Sequence, residues 1–542
     1  MEQFNKQNSG EKEDKQHVTA DWKRRQQSAE GILFTDFYEL TMAQLYYRMN
    51  IHEKPVLFDY FFRSYPDYGT HKAGYCINAG MEWLVEWMQA VRFGSKEIDF
   101  LKQQTGKTGK PVFEKDFLSW LEENGNFDAV TIRAVPEGRV VHANVPVAQI
   151  QGPFAVTQML ESSFLNHLNY QTLIATKASR VRQAGCQNLT IEFGMRRGQY
   201  KGANAGARAA LIGGADFTSN TGTSSIMGTP PKGTHAHSMV QAFMALGEGE
   251  LGAFKAYGDV YPDDCLLLVD TVDTLQSGIP NAIKVFEQLR KKGHEPLGIR
   301  LDSGDLAYFT VQAAKMLNKA GFKKAKIFLS NKLDELVIWQ IIEQIKEEAP
   351  RHNLDAAHVI ARLAYGVGTR LIVSKGHPAL DGVYKLTAIK DGSHWLPAIK
   401  VSENPAKTIN PGFKNVWRLY DNRGKATADL LALKDETITD QQTLTLHHPT
   451  QTAVKRTVNV QQLSDIEPLL VEIVREGKMN APFPSLPQIR QIRDSDLDKL
   501  DPGVKRLMNP HVYHVSLTER LWNLKQTQID TWKNGFQNQK EM

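Results

Sequence analysis

The chain has 542 residues, 41% hydrophobic and 23% charged, with a formal net charge of +5. That length implies roughly two to four domains and a core that needs no staples, and the mild charge leaves no footprint for nucleic acid. Three cysteines, Cys76, Cys186 and Cys265, form no C-x-x-C pair; this argues against a disulfide framework or a zinc site, and no apolar run approaches the roughly 18 residues that span a bilayer.

Residues 1–30 are rich in Gln, Lys, Glu and Asn and lack an apolar stretch, so they read as a polar tail, disordered or loosely helical, rather than a signal peptide. Residues 526–542 read the same way, and the expected address is the cytoplasm. Thr35 or Asp36 is placed to cap a helix with Leu40, Ala43 and Tyr47 along one face. Residues 56–62 predict an aromatic-rich strand. Residues 134–141 and 147–150 predict a hairpin or meander with Pro and Gly turns. From Pro153 the rhythm changes. Helices are expected at 155–168, 203–213, 236–246, 280–291, 307–317 and 335–345, with Gly293 as a helix stop. Apolar strands are expected at 188–193, 265–269, 297–301 and 326–329. Continuous apolar strands alternating with helices mean parallel strands buried on both faces. A barrel suits this pattern better than an open sheet, although a doubly wound sheet also fits. Past Val373 short strands return at 382–386, 395–400 and 417–420, and they predict a β-rich part that pairs with the N-terminal one.

The strand ends share a grammar. Glu192-Phe193-Gly194-Met195-Arg196-Arg197, Gly233-Thr234-His235-Ala236-His237-Ser238, Val269-Asp270-Thr271, Arg300-Leu301-Asp302-Ser303-Gly304-Asp305, Ser330-Asn331 and Gly366-Val367-Gly368-Thr369 cluster Gly, Asp, Ser, Thr, His and Arg. In a parallel barrel such ends converge on one face, which holds the chemistry. Arg300 offers a fork for a carboxylate or phosphate, and Asp302 accepts from a vicinal diol. A surface ion pair with a helix cap is the plainer alternative. Gly368 and Thr369 offer backbone and hydroxyl donors to an oxyanion. Arg196 or Arg197 suits a phosphate, and Phe193 suits a flat ring or simple core packing. His235 and His237 have a metal-ligand spacing. No other well-placed His or Lys completes a metal-hydrolase set, and one satisfied structural histidine at a helix start is the plainer alternative; the functional reading is a single histidine that takes a phosphoryl group there, where the helix dipole favours the added charge.

The ordered set of these segments other than Val269-Asp270-Thr271, together with Thr35 to Met42, Ala134 to Pro153, Gly214 to Asn220 and Gly382 to Leu386, resembles nicotinate phosphoribosyltransferase over roughly residues 31–400. The resemblance implies an α/β fold: an irregular parallel α/β barrel of the type II phosphoribosyltransferase kind (153–372), beside a discontinuous β-rich α/β sandwich domain. The sandwich is built from 31–152 and from 373–525, which also carries an extension. It implies synthesis of nicotinate mononucleotide and pyrophosphate from nicotinate and 5-phosphoribosyl 1-pyrophosphate, in the salvage route to NAD. It implies ATP hydrolysis coupled through a phosphohistidine, with Mg²⁺ accompanying the phosphates and no assigned protein metal ligand. By the G-T-x-A-H pattern, the phosphohistidine falls on His237 rather than His235. Tyr38, Thr234 and Arg300 resemble nicotinate contacts, and Thr369, beside Gly368, a phosphoribosyl contact. Phe193 resembles a ring-stacking position, Arg196 a phosphate contact and Asp302 the ribose contact. A homodimer is implied, with Tyr38 crossing into the neighbour's site, and no nucleic-acid or membrane partner. The competing expectations are the same chemistry on nicotinamide or quinolinate, a metal hydrolase built on His235 and His237, and a phosphosugar-binding protein without turnover.

Overall fold

The computed structural model describes Ser28 and residues 30–540. The expected tails at 1–27, 29 and 541–542 lie outside the described residues. Three large sheets and a two-stranded ribbon, Cys76–Ile77 with Val140–Val141, organise the described residues. At the centre are six parallel strands in the order Phe217–Thr218, Thr190–Glu192, Leu363–Val367, Lys326–Leu329, Gly298–Leu301, Leu266–Leu268. The period of two along these strands sorts their side chains. Ile191, Leu266, Phe328 and Ala364 meet inside the sheet, while Leu267, Ile299, Ile327 and Leu363 join the core shared with the surrounding helices. Arg300 lies between Ile299 and Leu301 and pairs in register with Phe328, so it takes the inner phase.

The strand list ends at two unpaired edges, and a loop crosses the seam between them. The Lys232 N–H donates to the Thr218 carbonyl at 3.1 Å. The Leu268 N–H donates to His235 Nε2 at 3.1 Å. Side chain and loop backbone thus stand where a further strand pairing would be, which makes the barrel irregular.

Around this lies a seven-stranded antiparallel sheet in the order His394–Pro397, Gly382–Asp391, Pro55–Phe62, Ala148–Pro153, Thr131–Ala134, Val471–Arg475, Lys478–Met479. It joins strands from both ends of the chain, with Phe58 opposite Leu386 and Ile150. A second six-stranded sheet is made from 414–468 and 514–517. The C-terminal region therefore adds strands to the N-terminal sheet and also builds one of its own.

Two elements run beyond the sequence reading. The helix expected at 155–168 is two helices, Phe154–Met159 and Glu161–Ala184. Lys177 and Arg180 make the second half look like solvated chain, yet both are buried on the Glu335 carboxylate, at 2.8 and 3.2 Å. The stretch read as a polar tail from 526 continues the helix Glu519–Lys540, anchored where Leu521 and Lys525 are buried. Gly293 takes φ +90°, as a left-handed helix stop requires.

Candidate active site

The C-terminal ends of the central strands bring together an arginine, two aspartates, a histidine and two hydroxyls. Arg300 closes the strand Gly298–Leu301 with its side chain only 13% exposed. Its Nε donates to Ser330 Oγ at 2.9 Å, Nη2 to Asp302 Oδ1 at 3.0 Å and Nη1 to the His235 carbonyl at 3.5 Å. A guanidinium has five N–H groups, so each terminal nitrogen keeps one N–H in reserve. The guanidinium carbon sits 5.5 Å from the centre of the Phe193 ring.

Phe193 is placed by tight backbone packing. Its N–H donates to the Val367 carbonyl at 2.9 Å. A Cβ on Gly366 would strike the Phe193 ring at 2.5 Å, and one on Gly368 would reach the Phe193 carbonyl oxygen at 3.0 Å. The glycines of Gly366-Val367-Gly368-Thr369 thus make room for the ring. The hydroxyl-bearing Thr369 starts the helix Thr369–Ile372 and is exposed. Beneath Phe193, buried Glu192 accepts from Thr218 Oγ1 at 2.6 Å and from the Gly194 N–H. Burial raises its carboxyl above the usual range, against those hydrogen bonds.

His237 is the first residue of the helix His237–Ala245. Its Nδ1 is 3.0 Å from Thr271 Oγ1, and its Nε2 is 3.8 Å from Asp270 Oδ1 and 3.9 Å from Asp302 Oδ2. Asp270 is 2% exposed at the side chain. Its Oδ2 accepts from Ser303 Oγ at 2.5 Å and from the Asp302 N–H at 3.1 Å. Its Oδ1 is buried without a hydrogen-bond partner. Asp302 Oδ1 also accepts from Ser330 Oγ. Asp270, Thr271 and Ser330 were visible as strand-end residues, but nothing local in the sequence gave them roles. Their signal is positional, since each ends a strand beside Arg300 or His237.

His235 has a different task from His237. Its Nε2 takes the Leu268 N–H, and its ring packs 4.9 Å from Tyr257. Burial lowers it to about 4, so it is a neutral acceptor. The H-x-H spacing therefore serves two unrelated neighbours, and the imidazole that a metal pair would need from His235 is occupied by the barrel seam.

A cavity of about 510 Å³ opens beside this cluster and runs down the sheet interior. Phe193, Gly233 and Thr234 line its upper end, Ile191, Leu266 and Phe328 its wall, and Leu189, Leu297 and Lys326 its lower end. The Thr234 hydroxyl accepts from the His235 N–H. Two expected site residues stand apart. Arg196 is exposed in the turn Met195–Arg197 and makes no ion pair among the described residues. Tyr38 is 45% exposed on the helix Phe37–Arg48. Its neighbours are Glu39, Glu161 and Ser162, and burial and those carboxylates raise its phenol to about 12.

An anion-ready arginine over an aromatic ring, with paired carboxylates and a helix-start histidine at parallel strand ends, defines a barrel transferase-type site. The comparisons agree with that class. Residues 33–169 match the nicotinate phosphoribosyltransferase N-terminal domain and 413–525 its C-terminal domain. Among curated relatives, a nicotinate phosphoribosyltransferase of Bacillus subtilis (strain 168) is 36% identical over 511 residues, covering 94% of this chain and 97% of its own. One of Caenorhabditis elegans is 32% identical, covering 91% and 92%. The crystal structure of human nicotinic acid phosphoribosyltransferase superposes with a TM-score of 0.73 at 27% identity, covering 91% of this chain and 99% of that one. The nicotinate-nucleotide pyrophosphorylase of Pyrococcus furiosus shares the fold, with a TM-score of 0.61 at 21% identity over 86% and 94%. The chain belongs to the nicotinate phosphoribosyltransferase family.

Proposed function

We propose that this protein joins nicotinate to 5-phosphoribosyl 1-pyrophosphate, releasing nicotinate mononucleotide and pyrophosphate, as an NAD-salvage enzyme. The observation that carries this reading is Arg300, held from three sides above Phe193 with one N–H left on each terminal nitrogen. That fork suits the nicotinate carboxylate, the ring lies on Phe193, and Thr234 borders the same space. A carboxamide would meet two donors where it needs an acceptor for its own N–H₂, which favours the acid over nicotinamide.

With the ring so oriented, the pyridine nitrogen directs its lone pair at C1 of the ribose. The C1–N bond forms as the C1–O bond to pyrophosphate breaks, and no general base is needed. Asp302 is placed for the ribose diol. Thr369, Gly368 and Arg196 are offered to phosphate oxygens. The orphaned Oδ1 of Asp270 fits a hard cation, so Asp270, with Asp302 beside it, would hold Mg²⁺, which would supply neutralisation of the pyrophosphate charge.

His237 is assigned as the residue that takes a phosphoryl group from ATP. A ring nitrogen attacks the terminal phosphorus, with Thr271 Oγ1 3.0 Å from Nδ1 and Asp270 and Asp302 3.8 and 3.9 Å from Nε2 to orient the imidazole. ADP departs, and water later returns the group as phosphate. The new charge sits at a helix start. His237→Ala is expected to abolish ADP formation while leaving slow, ATP-independent synthesis. Persistent nicotinate-dependent ADP release would move the role elsewhere.

The helix Phe37–Arg48 exposes Phe37, Tyr38 and Leu45, and Met49 just past its end is exposed too. We assign this face to a second copy of the chain, with Tyr38 entering its partner's site. Light scattering that shows a monomer at assay concentration would remove that part. The deciding assay supplies 5-phosphoribosyl 1-pyrophosphate, Mg²⁺ and either nicotinate or nicotinamide, with and without ATP. Mononucleotide from nicotinate alone supports the reading, and product from nicotinamide or from neither overturns it.

A further inference from the structure

The C-terminal sheet carries a second polar pocket, remote in sequence from the strand-end cluster. It has a volume of about 260 Å³ and lies among the strands Thr443–His447, Lys455–Asn459 and His514–Leu517. Four basic side chains line it, His448, Lys455, Arg456 and His514, and no Asp or Glu does. None of its lining residues lines the barrel cavity.

The basic groups are left uncompensated. Arg456 makes no ion pair among the described residues, and its Nη2 is buried without a hydrogen-bond partner. A buried guanidinium N–H left unpaired is costly. Arg418, in the same sheet, shows the usual solution by gripping Asp429 through two nitrogens, at 2.8 and 2.9 Å. His448 Nδ1 accepts the N–H groups of Thr450 and Gln451 at 3.2 and 3.1 Å. Its proton therefore sits on Nε2, and the ring is a donor even when neutral. Burial and the charges of Arg456 and His448 hold His514 below the usual imidazole range.

Asn144, Pro449 and Thr450 form a wall that this pocket shares with a smaller one of about 30 Å³, whose Asp59 is paired with Lys414 at 3.0 Å. There the Lys525 ammonium meets only neutral acceptors, the Pro449 and Thr408 carbonyls and Asn410 Oδ1, at 2.9, 3.4 and 2.9 Å. The remaining walls are apolar, with Leu446, Val454 and the 82%-exposed Val512.

We propose that this pocket binds an organic phosphate monoester, its dianionic head on Arg456 and the two histidines with the exposed Lys455 at the rim, its less polar part against Val454 and Val512. A dianion answers several convergent cations at once, and a guanidinium fork matches two phosphate oxygens. The apolar walls prefer an ester to a bare anion. The site is separate from turnover, so its ligand acts as an effector or as a stabiliser.

The test is calorimetric titration of the full-length protein with AMP and with orthophosphate. Arg456→Gln and Lys455→Gln are each expected to weaken AMP binding about tenfold or more while leaving kcat and KM for mononucleotide synthesis unchanged. Arg300→Gln, in the strand-end cluster, is expected to retain that AMP binding. Because Lys455 is exposed, its variant keeps the fold if Arg456→Gln does not. Binding that survives both basic-pocket variants, or that vanishes in Arg300→Gln, overturns the proposal. Equal affinity for orthophosphate and AMP overturns the apolar part.

Discussion

Arg300 and Arg418 are both mostly buried arginines beside aspartates, and the molecule uses them in opposite ways. Arg418 closes a junction between the strand Val140–Val141, the second six-stranded sheet and the helix Leu486–Lys499. It grips both oxygens of Asp429, reaches Asp496 at 3.3 Å and donates to the Val140 carbonyl at 2.9 Å. Asp429 is further filled by the Tyr513 hydroxyl at 2.9 Å. At the strand ends, Arg300 is steadied by one oxygen of Asp302, by Ser330 and by a carbonyl, and its terminal nitrogens stay open. Asp270 likewise keeps a buried oxygen unsatisfied. A structural arginine exhausts its donors within the fold, whereas a binding arginine is fixed in place and left with donors in hand.

Substitutions that separate the two roles should sort by that difference. Arg418→Ala strands Asp429 in the interior, while Asp496 keeps Arg139 at 2.7 Å, and is expected to cost about 3–5 kcal/mol of stability. Urea unfolding would show it, with the KM for nicotinate unchanged in the protein that remains folded. Arg300→Ala should leave the urea midpoint near that of the parent and lower kcat/KM for nicotinate about 10²- to 10³-fold, or about 3–4 kcal/mol. Steady-state kinetics that show less than a tenfold loss would equate Arg300 with an ordinary surface arginine. Arg300→Lys keeps the charge without the fork and should fall between.

His235→Phe tests the seam that lies between the two regimes. It leaves the Leu268 N–H without an acceptor and should cost about 1–3 kcal/mol. Faster amide exchange at Leu268 is the readout, and unchanged exchange would deny the seam role.

The smallest effect concerns Glu39, a buried carboxyl with hydroxyl and amide donors but no cation. Burial raises it from 4.5 to about 7. The folded state therefore holds a proton that the unfolded chain has released, so this group's contribution is present below pH 4.5 and lost as pH rises through about 7. The urea midpoint of the parent should fall between pH 5 and pH 7.5 relative to Glu39→Gln. Parallel pH curves for the two proteins would contradict it.

The same contrast explains what was legible in advance. The alternation of apolar strands with helices predicted a parallel α/β core, and the six parallel strands sit within a few residues of the expected positions where strands were named. Arg300, Asp302, His237 and Phe193 stood out because each follows an apolar run and carries chemistry at its end. Asp270, Thr271 and Ser330 share that position but were given no role, because their function lies in what they face across neighbouring strands. The helix Glu161–Ala184 runs past the expected end at 168, and its last turns bury Lys177 and Arg180 on Glu335, a partner some 150 positions later that no local pattern shows. The H-x-H pair was ambiguous because spacing says nothing of what each ring meets.

Local pattern alone determined four of the six barrel strands, the residue types at the strand ends and, through their order, the family. These depend on periodicity and on short motifs, which neighbouring residues define. Only the tertiary structure decided which arginine is saturated and which is open, which histidine closes the seam and which faces the aspartates, and where basic side chains gather without a carboxylate. Those properties belong to contacts between segments hundreds of residues apart, and burial together with the partner across the contact determines whether a charged side chain holds the fold or waits for a ligand.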